Sequence, residues 1–158
     1  DALSIALLEA RGFTAQDFAF SHPGGALGRK LLIKVEDVMH KSEQVPNVSI
    51  DGSLQEALLE MTAKGLGMTT VTSNEDKLVG IFTDGDLRRL VDLKVDINNS
   101  KISDVMSSNP KTISPDVLAA EALAKMEESS ITTLVVEDDD KNICGVIHLH
   151  DLLRAGVV

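Results

Sequence analysis

Apolar residues recur along this chain with a helical and then a strand-like period, and the whole pattern occurs twice. Leu54, Ala57, Leu58 and Met61 share one helical stripe behind Ser53-x-x-Glu56. That tetrad is a capping box, in which serine and glutamate satisfy each other's backbone N–H groups. A partner stripe, Ala119, Ala122, Leu123 and Met126, has the same spacing. Two β-type runs joined by a polar turn follow each stripe. They are Met68 to Thr72 and Leu78 to Phe82 around Asn74 to Lys77, then Ile131 to Glu137 and Ile143 to Ile147 around Asp138 to Asn142. Closing helices are expected over Gly85 to Leu93 and His150 to Arg154. A short helix around Asp37-Val38-Met39 and an extended piece from Val45 to Ile50 lead into the first set. The predicted fold class is mixed α/β (α+β), with the order β-α-β-β-α present twice.

The duplication is visible residue by residue. Gly80-Ile81-Phe82-Thr83-Asp84-Gly85-Asp86-Leu87 returns as Gly145-Val146-Ile147-His148-Leu149-His150-Asp151-Leu152, keeping the glycine, the apolar pair, the acid and the leucine. The same offset carries Glu56-Ala57-Leu58-Leu59-Glu60-Met61 onto Glu121-Ala122-Leu123-Ala124-Lys125-Met126, and Asp37-Val38-Met39 recurs as Asp104-Val105-Met106. Three matched blocks in one order mark an internal repeat. Units of about 60 residues bury too little surface to be robust alone, so the two are expected to share a core around a pseudo-two-fold axis. The expected division is a tail over 1–34 and repeats over 35–99 and 100–158.

Candidate chemistry sits in the eight-residue block. Thr83 stands where a strand hands over to a helix, and free N–H groups with the helix dipole favour an anion there. Thr83-x-x-Asp86 is equally a variant capping box, a helix start that needs no ligand. In the second copy His148 replaces the hydroxyl residue and Asp151 keeps the acid. His148 and His150 are two apart, which would put them on one side of a strand. They serve as packing residues or as donors to an anion. Zinc needs more ligands than these two histidines, so no metal site is expected.

Composition narrows the function classes. The chain has 158 residues, is 43% hydrophobic and carries a net charge of −10. That balance suits a globular protein and argues against binding a nucleic-acid backbone, which needs clustered Lys and Arg. No apolar run reaches membrane-spanning length, so no membrane role is expected. The single cysteine, Cys144, excludes an internal disulfide, fits a cytoplasmic setting and is expected to be buried and inert. The acidic run Glu137 to Asp140 lacks the alternating ligands of a calcium loop and reads as a solvated turn. The chain begins at Asp1 and reads as a piece of a longer protein. Its head suggests a helix from Asp1 to Arg11 stopped by Gly12, a cap at Thr14 and a turn at Ser21-His22-Pro23-Gly24-Gly25.

The unit order, with G-h-h-T-x-x-D (h apolar) closing the last strand, resembles a tandem pair of CBS domains from about Val35 to Val158. The resemblance implies a disc with two clefts that take adenosine-type ligands, the hydroxyl residue meeting phosphate and the acid meeting ribose hydroxyls. These roles fall on Thr83 and Asp86, with His148 and Asp151 in the second copy, and Met68, Thr69 and Thr132 complete the implied ligand-binding set. The head, Ser-His-Pro-Gly-Gly-Ala-Leu-Gly-Arg-Lys-Leu-Leu, and the ending His-Asp-Leu-Leu-Arg-Ala-Gly-Val-Val are similar to the D-arabinose 5-phosphate isomerase family. Such proteins join a sugar isomerase (SIS) domain to a CBS pair and interconvert ribulose 5-phosphate and arabinose 5-phosphate. Their product feeds synthesis of Kdo, a lipopolysaccharide sugar. The resemblance implies that 1–34 is the end of the SIS domain, that His22 belongs to the active site of the longer enzyme, and that this piece alone is inactive. No cofactor is required. An adenine nucleotide or CMP-Kdo is the expected regulatory ligand, and the expected partners are the chain's own SIS domain and further copies of itself. The alternative is an oligomerisation module with no ligand of its own.

Overall fold

The computed structural model describes residues 31–157. The expected helix from Asp1 to Arg11, the cap at Thr14 and the turn holding His22 lie outside the described residues. The elements run α1 (Val35–Val38), a 3-10 turn (Ser42–Gln44), β1 (Asn47–Ser49), α2 (Leu54–Lys64), β2 (Met68–Thr72), β3 (Leu78–Thr83) and α3 (Asp84–Asp92). After a second 3-10 turn (Ile97–Asn99) come α4 (Ile102–Val105), β4 (Thr112–Ile113), α5 (Ala119–Ser129), β5 (Thr133–Glu137), β6 (Ile143–His148) and α6 (Leu149–Arg154).

Local chemistry explains these boundaries. Ser53 caps α2 through its hydroxyl, which accepts from the Glu56 N–H at 3.1 Å, and Gly65 ends the helix in the left-handed region at φ 72°. Leu54, Ala57 and Met61 are buried along that helix, as are Ala119, Ala122 and Met126 along α5. Here β5 starts at Thr133 rather than Ile131. Ser130 takes a left-handed φ of 55° and the Ile131 N–H bonds back to Met126 at 2.9 Å, so those residues finish the preceding helix.

Each unit has a three-stranded sheet, ordered β1-β2-β3 and β4-β5-β6, with a parallel first pair and an antiparallel second pair. One core gathers Leu54, Ala57, Met61, Val71 and Phe82, another gathers Ala119, Ala122, Leu134, Val136, Ile147 and Leu152. Met68, Val135 and Val146 form the seam between the sheets.

Each unit also completes its neighbour. Val35 of α1 is buried in the second core, and Ile102 of α4 is buried in the first. The residues after each short helix pair with the other unit's last strand. His40 and Val146 exchange backbone bonds of 2.8 and 3.0 Å, while Ser107 and Ile81 exchange bonds of 2.8 and 3.0 Å. These reciprocal contacts are what a two-fold relation between repeats requires. The two repeat glycines permit them. A Cβ on Gly80 would lie 2.8 Å from the Ser107 carbonyl oxygen, and one on Gly145 would lie 2.4 Å from that of His40.

Candidate functional site

Two clefts lie where the exchanged segments meet the strand-to-helix corners. The first, of about 510 Å³, draws on both repeats: Met68, Thr83, Gly85 and Arg89 face Ser107, Lys111, Thr132 and His148. The second, of about 320 Å³, is its pseudo-symmetry mate, lined by Gly67, Asp84, His148, His150, Arg154 and His40. His148 therefore borders both. Where the first cleft has Gly85 and Ser107, the second has His150 and His40.

Thr83 is the N-cap of the nine-residue helix α3. Its Oγ1 accepts from the Asp86 N–H at 3.2 Å and donates to Asp86 Oδ2 at 3.1 Å, and its own N–H donates to Oδ2 at 3.0 Å. Both readings of this tetrad thus concern one arrangement: a capping box whose hydroxyl and helix start border an open cleft. Asp86 is buried beneath that cleft rather than lining it, and its other oxygen takes Arg89, with Ser107 at 3.4 Å. A phosphate needs the Thr83 hydroxyl as donor, and turning it outward releases a lone pair of Asp86 for another hydroxyl. The threonine and the acid are chemically coupled.

The second corner has the same frame with different groups. Asp151, also buried, accepts from the His148 N–H at 2.8 Å through Oδ2, and from His40 Nε2 at 2.9 Å and Arg154 at 3.0 Å through Oδ1. His148 replaces threonine as the N-cap: its Nδ1 accepts from the His150 N–H at 3.0 Å. The expectation that His148 and His150 share one side of a strand needs correction, because β6 ends at His148 and His150 belongs to α6. Their rings still approach, with centroids 4.5 Å apart, because the helix start folds one back over the other. Burial, then the neighbouring His150, holds the His148 pKa below the usual imidazole value.

Of the other candidates, Met68 and Thr132 line the first cleft beside Thr83. Thr69 is fully buried and gives its hydroxyl to the Thr70 carbonyl at 3.1 Å. Cys144 is only half-buried, which corrects the expectation of a buried thiol, and desolvation with the nearby Asp138 raises its pKa. Asp138 turns its carboxylate into its own hairpin, accepting from the Asn142 and Asp140 N–H groups at 2.9 Å, which keeps its pKa low.

Arg89, Arg154, Ser107 and His40 were missed on sequence. The arginines were legible, because the offset that joins the acids also joins Arg89 to Arg154. Extending the Asp37-Val38-Met39 match by one residue would have paired His40 with Ser107.

Comparisons with known proteins agree with this fold. The CBS domain model matches residues 35–93 and 102–158. Arabinose 5-phosphate isomerase KdsD of Pseudomonas aeruginosa is 60% identical over 158 residues, all of this chain and 48% of that protein. The chain thus spans about half the length of the curated relatives it matches. Among solved structures, CBSX2 in complex with AMP superposes with a TM-score of 0.68 at 22% identity, covering 79% of this chain and 96% of that one. The CBS domain pair of protein MJ0100, in complex with 5'-methylthioadenosine and S-adenosyl-L-methionine, gives 0.70 at 23%, covering 78% and 94%.

Proposed function

The chain belongs to the CBS domain family, and from that premise we propose that it is the ligand-sensing part of an arabinose 5-phosphate isomerase. The longer protein would interconvert ribulose 5-phosphate and arabinose 5-phosphate in the cytoplasm, on the route to Kdo. The first cleft takes a nucleotide or nucleotide sugar, an adenine nucleotide or CMP-Kdo, and occupancy adjusts the isomerase. The observation that carries this is Thr83, a hydroxyl cap at the start of a nine-residue helix, facing a 510 Å³ cleft with Arg89 and Lys111 at hand. Helix-start amides, a hydroxyl and two cations are what a phosphate ester needs. Asp86 supplies the ribose contact once Thr83 turns to the phosphate.

Thermal-shift titration of the chain with AMP, ATP, CMP and CMP-Kdo tests this, because a ligand that binds only the folded state raises the melting temperature. A rise for at least one nucleotide, abolished by Thr83→Ala, is the expected result. No rise with any of the four sinks the proposal. His22 is assigned to catalysis in the longer protein, where His22→Ala should lower turnover by about a hundredfold or more. Near-normal turnover would reduce it to a turn residue.

One observation favours the second reading, an oligomerisation module. Leu59 of α2 is 72% exposed and Leu93, just after α3, 73%, with Val91 at 55%. Large apolar side chains left in solvent suit a partner face. Sedimentation of wild type against Leu59→Glu separates the readings. A drop in mass with nucleotide binding intact makes the two roles independent.

A further inference from the structure

We infer that the second cleft is a proton-dependent site for a small tetrahedral oxyanion, separate from whatever nucleotide the first cleft takes. Three features lead there: which groups are tied up, which face the opening, and how their charges balance.

Asp151 is held from both repeats. His40 and Arg154 hold its Oδ1 at 2.9 and 3.0 Å, and the His148 N–H holds Oδ2 at 2.8 Å. In the first cleft the residue equivalent to His40 is Ser107, which reaches Asp86 only at 3.4 Å. Bulk separates the two clefts. His150 and His40 stand where the mate has glycine and serine, and the space falls from about 510 to about 320 Å³. The narrower space favours a ligand smaller than a nucleotide.

What remains is a small opening ringed by His148, His150, His40 and Arg154. His148 uses Nδ1 to accept the His150 N–H, so its Nε2 carries the proton and is a donor even in the neutral ring. The Arg154 side chain is 74% exposed and its guanidinium reaches both Asp151 and the opening. Every charged group facing the cluster belongs in the balance: Asp151 and Arg154 on α6, and Asp84 at the start of α3. With neutral imidazoles there are two carboxylates against one guanidinium, a surplus that repels anions. Two protons on the rings are enough to reverse the sign, and His148, whose Nδ1 is engaged as an acceptor, need not carry one. Imidazoles as a class change charge between about pH 5 and 8, so the cleft is an anion site only on the acid side of that range.

The test uses sulfate, whose charge does not change with pH, at low ionic strength, read on the histidine ring signals by NMR and on heat by calorimetry. In the wild-type chain, sulfate should bind about tenfold or more tightly at pH 5.5 than at pH 8, and should raise the titration midpoints of the cluster's rings. His150→Gly, which restores the first repeat's residue at an exposed position, and His40→Ser should each remove most of that dependence. Inorganic phosphate and ribose 5-phosphate, run alongside, distinguish a free ion from a phosphosugar as the source. Binding by either supports the assignment. Sulfate binding that is equal at both pH values, or unaltered in a folded His150→Gly chain, overturns it. So does AMP binding at these rings more than about tenfold tighter than sulfate, since the nucleoside would then be recognised.

Discussion

The two strand-to-helix corners are built on one backbone plan and differ in the side chains at their rims. Thr83, Gly85 and Ser107 in the first become His148, His150 and His40 in the second. Asp84 also gives way to Leu149, whereas Asp86 and Arg89 keep their counterparts Asp151 and Arg154, and the carboxylate still accepts from the N–H three residues before it. The shared part is therefore a structural device: a carboxylate that closes the first helical turn and anchors an arginine three residues on. The differing part decides what the corner recognises. A repeat conserves its scaffold within one molecule and spends its variation at the rim of the cleft.

The comparison is broken most decisively at the acids. Asp86→Ala should abolish nucleotide binding, a loss of about a hundredfold or more, because the Thr83 hydroxyl and Arg89 lose their common anchor. Asp151→Ala should leave nucleotide affinity within about threefold, since its side-chain partners His40 and Arg154 border only the other cleft. Titration calorimetry on both variants decides. The opposite pattern would make the histidine-bearing corner the nucleotide site. Melting temperatures must accompany the titrations, because a lost cap alone costs about 1 kcal/mol.

Next in size is the pair of glycines. Gly145→Ala drives a methyl against the His40 carbonyl, where backbone must give way, and should destabilise by about 3 kcal/mol. Gly80→Ala first meets the flexible Met106 side chain, although the Ser107 carbonyl is close behind, and should cost about 2 kcal/mol. Urea melts measure both. Equal stability of Gly145→Ala and wild type would mean that the exchanged segments are not held as described.

A smaller effect sharpens the contrast through pH. The His148 pKa is lowered in the folded protein, mainly by burial, so the unfolded chain binds the proton more readily. Its contribution is fully present above the unfolded value of about 6.5 and is lost as pH falls through the lower folded value. His148→Thr should flatten that part of the stability curve, and Thr83→His should introduce it in the first repeat. Thermal melts between pH 5 and 8 at fixed salt record the difference. An unchanged profile in His148→Thr would assign the titration elsewhere. Least of all, Lys77→Ala should cost about 0.5 kcal/mol or less in the same melts. Its ammonium bonds the Asp140 carbonyl and the Asn142 side chain at 2.9 Å, both in the other repeat's hairpin, but in full solvent. A larger loss would show that the hairpin tips carry part of the seam.

Legibility in the sequence followed the range of the interaction. Capping boxes at Ser53 and Thr83, and the stripes on α2 and α5, depend on neighbours three or four residues away. They were readable, as was the duplication. The exchange of α1 and α4 was not readable, because a four-residue helix with one buried apolar residue says nothing about which core receives it. Gly80 and Gly145 held the clue, since a glycine inside an apolar strand signals another backbone close by. For the site, Thr83, Met68, Thr132 and His148 could be chosen from their place in the repeat. That His148 borders both clefts, and that His40 reaches Asp151 across 111 positions, could come only from the assembled fold.

The crossed lead helices also set a timetable for synthesis. Emerging from the ribosome, the first repeat cannot close its core when its own last helix is complete at Asp92. It waits for Ile102, some ten residues later. Val35, made long before, has no pocket until Ile147 and Leu152 arrive at the far end of the chain. The nascent protein therefore carries an unpaired α1 while both repeats are made, and the half that locks first is the one completed by the later lead helix. Contacts between such distant positions are slow to form, because loop closure must precede them. A stop between the repeats would release a half whose core is open and whose short lead helix fits only the half never made.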